Sequence, residues 1–184
     1  MVARAARPAV FLDRDGVLNE ALVSGGKPHP PAGLADMKIY PEAAPALARL
    51  KAAGFLLIVV TNQPDVGRGT QPREAIDAMN RALRAALPLD DVLVCCHDDP
   101  DGCNCRKPKP GMILDAAQRH GIELAASFMV GDRWRDIDAG ANAGVRTVLI
   151  DRRWSERAPD HPPDFRASGI LAAAELILAA SSVP

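Results

Sequence analysis

Aromatic residues are scarce in this chain: one Tyr, two Trp and four Phe, 4% of 184 residues. A core must therefore be filled by Ala, Leu, Val and Ile, which the 48% hydrophobic content supplies. An excess of charge is also lacking. Lys and Arg number 22 against 23 Asp and Glu, for a net charge of −1. No basic stripe appears, which argues against a nucleic-acid or other polyanion-binding surface. Short basic runs such as Arg133–Arg135 and Arg152–Arg153 have acids beside them and read as solvated faces. The longest apolar stretch, Ala52–Val60, is far too short to span a bilayer. The start MVARAARPAVFLD carries no apolar segment before its first strand, so no signal peptide is read and a cytoplasmic location is expected. Cysteine is absent outside residues 95–105. The length suits one domain, 1–184.

What is present is a set of polar residues where apolar runs end. Asp13 and Asp15 follow the run ending at Leu12, Thr61 and Asn62 follow Phe55–Val60, and Asp132 follows Phe128–Val130. Such short β-rich runs read as buried parallel strands. Strands are expected at about 9–12, 55–60, 92–95, 128–130 and 147–150. Helices are expected at about 42–53, 70–87, 110–120, 135–143 and 171–180. This alternation predicts an α/β fold, a central parallel sheet of about five strands with right-handed crossovers. Residues 17–40, rich in Gly and Pro, read as a long loop or small flap, and 151–169 as a polar, Pro-rich stretch. Ligands bind such sheets beyond the carboxyl ends of the strands, so the acids can share one crevice. Clustered carboxylates repel, and oxygen ligands in small number suit Mg²⁺. In Asp13-Arg14-Asp15-Gly16 one carboxylate can act as nucleophile and the other as general acid and base. The bland alternative, two ordinary loop aspartates, loses weight once Thr61 and Asp132 stand at matching strand ends.

The string CCHDDPDGCNC holds all four cysteines. Cys95, His97, Cys103 and Cys105 supply four ligands on one short loop, which suits a closed, structural Zn²⁺ site. Two readings compete: accidental clustering, with His97 a plain loop residue, and disulfides, disfavoured by a reducing compartment and by the strain of closing adjacent or CxC cysteines. By spacing alone Cys96 can replace Cys95. Asp98, Asp99 and Asp101 read as solvent-facing.

The ordered strings DRDGVLN, VVTNQ, CRKPKPG and VGDRWRD resemble the haloacid dehalogenase superfamily of phosphatases. The resemblance covers roughly residues 8–151. It implies a Rossmann-like three-layer α/β/α domain in which Asp13 forms an aspartyl-phosphate and Asp15 is the general acid/base. Thr61 and Asn62 would bind the transferring phosphate, and Lys107 would neutralise charge between it and the nucleophile. Asp132 would hold Mg²⁺ with Asp13 and the Asp15 carbonyl, and Asp136 would be a nearby or alternative ligand. The C-x-H…C-x-C-R-K-P string resembles the capless, zinc-containing subgroup that acts on heptose bisphosphate and histidinol phosphate. That likeness favours Cys95 over Cys96, although the subgroup usually has Pro where Cys96 stands.

Residues 16–41 and 62–72 are too short for a large cap, so specificity would fall to loop cations: Arg106, Lys109 and Arg68 as substrate-binding candidates. Lys27 and His29 in the segment Ser24–Pro31 are further candidates, although plain surface charge is the favoured reading for both. The expected partner is a small phosphorylated metabolite, met by a monomer without nucleic acid or membrane. Heptose 1,7-bisphosphate, cleaved at the 7-phosphate, leads. Histidinol phosphate competes, because the five-residue gap between His97 and Cys103 matches its enzyme. A nucleic-acid end phosphate is disfavoured by the neutral charge. A non-catalytic zinc-stabilised binding module is disfavoured by the intact acids.

Overall fold

The computed structural model describes residues 6–181. The expectation that no leader occupies Met1–Ala5 lies outside these residues, as does the 182–184 end of the one-domain span. In chain order the elements are β1 (Ala9–Leu12), the paired β2 (Leu22–Ser24) and β3 (Lys27–His29), and α1 (Ala43–Ala52). They continue with β4 (Leu56–Asn62), the short α2 (Pro64–Gly67), α3 (Arg73–Ala86) and β5 (Asp91–Cys95). Then come α4 (Gly111–His120), β6 (Phe128–Gly131), α5 (Trp134–Ala143), β7 (Arg146–Ile150), β8 (Phe165–Ala167) and α6 (Ile170–Ser181).

Six strands form one parallel sheet in the order β5-β4-β1-β6-β7-β8. From β1 the chain moves outward through β4 to β5, then crosses to β6 on the other side of β1. The switch in strand order therefore lies at β1, where Leu12 faces Val59 on one side and Val130 on the other. Side chains alternate across a strand. Val10, Leu12, Leu57 and Val59 pack in the same cluster as Leu47 and Leu50 of α1 and Ile170 and Ile177 of α6. Ala9, Phe11, Ile58 and Val60 pack in a second cluster with Met112 and Ile113 of α4 and Ala139 of α5. The expected α/β/α layering is borne out. Each fully buried Leu, Ile or Phe contributes about 1.5–3 kcal/mol of transfer free energy, so the aliphatic composition suffices for both faces.

Two differences from the sequence reading stand out. The sheet has six strands, not about five. β8 lies within the stretch read as polar loop, where Phe165 reaches Phe128 at 6.5 Å between ring centroids while Arg166 stays exposed. Three residues with one inward aromatic give too little alternation to detect. Between β1 and α1, the stretch read as a loop or flap holds the antiparallel pair β2–β3, joined by Gly25 and Gly26 at φ 59° and 74°. Left-handed residues at both central positions match the twist of a two-residue hairpin. No large cap stands there. Among the described residues, no helix is long and apolar enough to cross a membrane.

Candidate active site

Strand ends deliver the acids. Asp13 follows β1, its backbone N–H donating to the Val130 carbonyl at 2.9 Å, which ties it to β6. Asp132 follows β6, and Asp136 lies in the first turn of α5. Candidate ligand oxygens of these three buried carboxylates lie within 4.8 Å of one another. Lys107 inserts its ammonium between two of them, with Nζ at 2.7 Å from Asp13 Oδ1 and 2.6 Å from Asp136 Oδ1. The sequence placed Asp136 at the edge of the site as a metal neighbour; the structure makes it Lys107's second anchor.

Burial pushes the Asp13 carboxyl up to about 6, with Lys107 opposing and the Asp136 and Asp15 charges adding to the rise. Burial also raises Asp132 well above the ordinary carboxyl range, reinforced by the charges of Asp13 and Asp136. For Lys107 burial works the other way, but Asp13 and Asp136 outweigh it and hold the ammonium charged. The buried Lys107 thus faces three carboxylates with only the partly buried Arg133 adding to its charge, an arrangement that favours a further positive charge.

Asp15 is held by four hydrogen bonds. The fully buried Arg14 gives it two, at 3.1 and 3.0 Å, and a third N–H to Asn80 of α3. Asn19 Nδ2 donates at 2.9 Å, and Gln63 Nε2 donates at 2.8 Å while also reaching Thr61 Oγ1. Sequence reasoning gave no role to Arg14, Asn19 or Gln63. The only available signal was their place inside the DRDGVLN and TNQ strings. Asn62 exchanges hydrogen bonds with the Lys107 backbone, Oδ1 accepting at 3.1 Å and Nδ2 donating at 3.0 Å. β4 thereby positions the turn that carries Lys107.

These groups open into a cavity of about 320 Å³. Asp13, Asp15, Thr61, Asn62, Lys107 and Asp136 line its depth, and Lys27, His29, Arg68, Arg106, Arg133 and Arg135 stand around it. Arg133 and Arg135, read as a solvated face, line the cavity, as do Lys27 and His29, candidates for which surface charge was favoured. Acids orient the arginines. Asp99 accepts from Arg106 at 2.7 Å and from Arg135 at 3.1 and 3.2 Å. Asp98 accepts from Arg68, which with the Asp99 backbone N–H holds its carboxyl down at about 2. Asp99 is exposed, as expected, and Asp98 partly so, and both also orient these cations. Lys109 differs most from its expected place. Its ammonium bonds the Gly102 and Cys103 carbonyls at 3.0 and 2.7 Å, so it fastens the cysteine loop and does not line the cavity.

That loop gathers Cys95, His97, Cys103 and Cys105, whose ligand atoms lie within 4.8 Å of one another. The Sγ–Sγ distances are 3.1, 3.4 and 3.8 Å, and His97 Nδ1 lies 3.7 and 3.3 Å from Cys95 and Cys105. A tetrahedron with Zn–S of about 2.3 Å has edges of about 3.8 Å, so this donor set fits zinc. Burial raises the Cys95 and Cys105 thiols. Cys103 is lowered to about 7 despite burial, by the Arg106 backbone N–H and its neighbouring thiols. Cys96 is not in this cluster and accepts from Arg73 at 3.4 Å. The carboxylate triangle also fits its ion. Asp132 Oδ1 is buried with no hydrogen-bond partner among the described residues, which leaves an anionic oxygen available to a hard cation such as Mg²⁺.

The model of the haloacid dehalogenase-like hydrolases matches residues 32–144. A D-glycero-β-D-manno-heptose-1,7-bisphosphate 7-phosphatase of Helicobacter pylori is 35% identical over 150 residues, 77% of this chain and 82% of its own length. The enzyme of that name from Vibrio cholerae is 37% identical over 159 residues, 80% and 82% of the two chains. A crystal structure of the D,D-heptose 1,7-bisphosphate phosphatase of B. bronchiseptica, complexed with magnesium and phosphate, superposes with a TM-score of 0.78 at 31% identity. That match covers 94% of this chain and 99% of the other. Neither relative's name supports the histidinol phosphate alternative. The chain belongs to the haloacid dehalogenase-like hydrolases, in the phosphatase branch that contains these heptose bisphosphate enzymes.

Proposed function

We propose that this chain is a Mg²⁺-dependent phosphomonoester hydrolase whose substrate is D-glycero-β-D-manno-heptose 1,7-bisphosphate, cleaved at the 7-phosphate. The observation that carries the chemistry is Lys107 Nζ held between Asp13 and Asp136 at the strand switch, with Asp132 in the same cluster. The substrate rests on the names of the relatives and on the cation-lined cavity, which suits a second, distal phosphate.

Asp13 attacks phosphorus in line, so an Asp13 oxygen–phosphorus bond forms as the bond to the C7 oxygen breaks. Asp15, positioned by Arg14, Asn19 and Gln63, would exchange one of these donors for a proton and give that proton to the leaving alkoxide. It then takes a proton from the water that cleaves the aspartyl-phosphate, releasing inorganic phosphate and restoring Asp13. Thr61 and Asn62 hold the equatorial oxygens, and Lys107 screens them from the nucleophile's charge. Mg²⁺, held by Asp13, Asp132 and the Asp15 carbonyl with Asp136 beside them, would supply further neutralisation of the phosphate. Arg68 and Arg106, with Lys27, Arg133 and Arg135, bind the distal phosphate. Cys95, His97, Cys103 and Cys105 would hold a structural Zn²⁺, which would pin the loop bearing Arg106 and Lys107. The working form is a cytoplasmic monomer acting on a small metabolite, away from nucleic acid and membranes.

Phosphate release with Mg²⁺ tests this, using the β and α heptose bisphosphates and histidinol phosphate, with Asp13→Asn as blank. The expected order of kcat/KM is β-heptose first, by tenfold or more. A preference for histidinol phosphate would overturn the substrate. Turnover that survives in Asp13→Asn would overturn the chemistry.

A further inference from the structure

Beyond β7 the chain recrosses the carboxyl ends of the strands and touches several parts of the site. Arg152 Nε donates to the Gly16 carbonyl at 3.0 Å, and the Ser155 N–H donates to the Gly26 carbonyl at 3.0 Å. Glu156 pairs with Arg133. Between these contacts the Trp154 indole Nε1 donates to Asp132 Oδ2 at 2.6 Å.

We infer that Trp154 is a positioning residue for the metal-binding carboxylate: its N–H and Gly16 enclose Oδ2 of Asp132 and leave Oδ1 for Mg²⁺. This rests on the Mg²⁺ reading above. A carboxylate on an aspartate turns broadly about its terminal torsion, so a ligand needs something to fix its plane. Oδ2 has two such neighbours, the indole N–H and Gly16, where an added Cβ would stand 2.0 Å away. Oδ1 is buried and unpartnered. An indole nitrogen only donates, so it selects one oxygen without competing for the ion. Hydrogen-bond partners behind a metal ligand change metal affinity by about 10–100-fold when removed.

The chain offers its own reporter. It has two tryptophans, and the other, Trp134, lies under the Arg135 and Arg157 guanidinium groups at 4.5 and 3.6 Å. Trp134→Phe therefore leaves Trp154 as the sole indole. The experiment titrates MgCl₂ into wild type and Trp154→Phe by calorimetry, and into Trp134→Phe by fluorescence. The expected results are a Kd weaker by about 10–100-fold in Trp154→Phe, and an emission change in Trp134→Phe that saturates at the calorimetric Kd. Were Trp154→Phe to bind Mg²⁺ as wild type does, or the lone Trp154 emission to stay unmoved on saturation, the assignment would be overturned. If Trp154→Phe does not fold, the fluorescence arm decides. Wild type that binds no Mg²⁺ would instead overturn the metal reading itself.

Discussion

Gly16 and Asp132 meet so closely that a Cβ on Gly16 would lie 2.0 Å from Oδ2 and 2.6 Å from Cγ of Asp132. Gly16 also has φ of +85°, a conformation that side chains with a Cβ rarely adopt. It closes the turn that follows the Asp13–Asp15 pair. Gly16→Ala is expected to destabilise the fold by about 2–4 kcal/mol, combining backbone strain with displacement of a buried carboxylate. Urea denaturation measures that loss, and an unchanged midpoint would contradict the packing described.

Lys107 is nearly buried between Asp13 and Asp136. In Lys107→Met the carboxylates lose the cation that contacts Asp13 and Asp136 directly, and uncompensated buried charge costs about 3–5 kcal/mol. Protons can replace the ammonium at low pH. The melting temperature of the variant is therefore expected to fall most at alkaline pH and to recover in part toward about pH 5 or on adding Mg²⁺. Turnover should stay down by about 10²–10³-fold, because neither replacement donates hydrogen bonds from Lys107's position. Recovery of activity together with stability would show that Lys107 only balances charge.

The parts of this site legible in the sequence are those fixed by strand ends. Asp13, Thr61 and Asp132 each sit at or just beyond an apolar run, and parallel pairing brings those ends together whatever the loops do. The cysteine ligands were legible for a similar reason, since four of them on one short loop must lie close. Long side chains arriving from loops were not. Trp154 reaches Asp132 across 22 positions in sequence, and Gln63 reaches Asp15 across 48. Lys109 sits two residues from Lys107 yet bonds the carbonyls of Gly102 and Cys103. Nothing in local spacing encodes such reach. β8 escaped because three residues, with Phe165 and Ala167 inward and Arg166 outward, are too few to establish a period.

The Asp13 carboxyl, raised to about 6 from an ordinary 3.8 chiefly by burial, makes stability depend on pH. Without metal, the folded chain holds this proton more tightly than the unfolded chain between about pH 4 and 6. The stabilising contribution is complete below that window and lost as pH rises through it. Mg²⁺ needs the ionised carboxylates and competes with the proton. The rise in melting temperature on adding Mg²⁺ is therefore expected to be small near pH 5 and larger near pH 7. Scanning fluorimetry across that range, with and without MgCl₂, reads the difference. An Mg²⁺ effect independent of pH would remove Asp13 and Asp132 from the metal site.

The cysteine loop makes a separable prediction, because Cys96 and Cys95 are adjacent but point to different partners. Cys95 lies among Cys103, Cys105 and His97, while Cys96 faces Arg73. Elemental analysis is expected to find about one zinc per chain in wild type and in Cys96→Ala, and far less in Cys103→Ser. The loop continues directly into Arg106 and Lys107, and Asn62 grips the Lys107 backbone from β4. Loss of zinc should thus release one end of a segment whose other end remains held. The expected consequence is a melting temperature lower by about 5 °C or more, equivalent to about 2 kcal/mol at 2–4 °C per kcal/mol for a chain of this size. A fall in kcat/KM should accompany it through misplacement of Lys107. Zinc-free protein that melts and turns over as wild type does would assign the four ligands no part in holding the site.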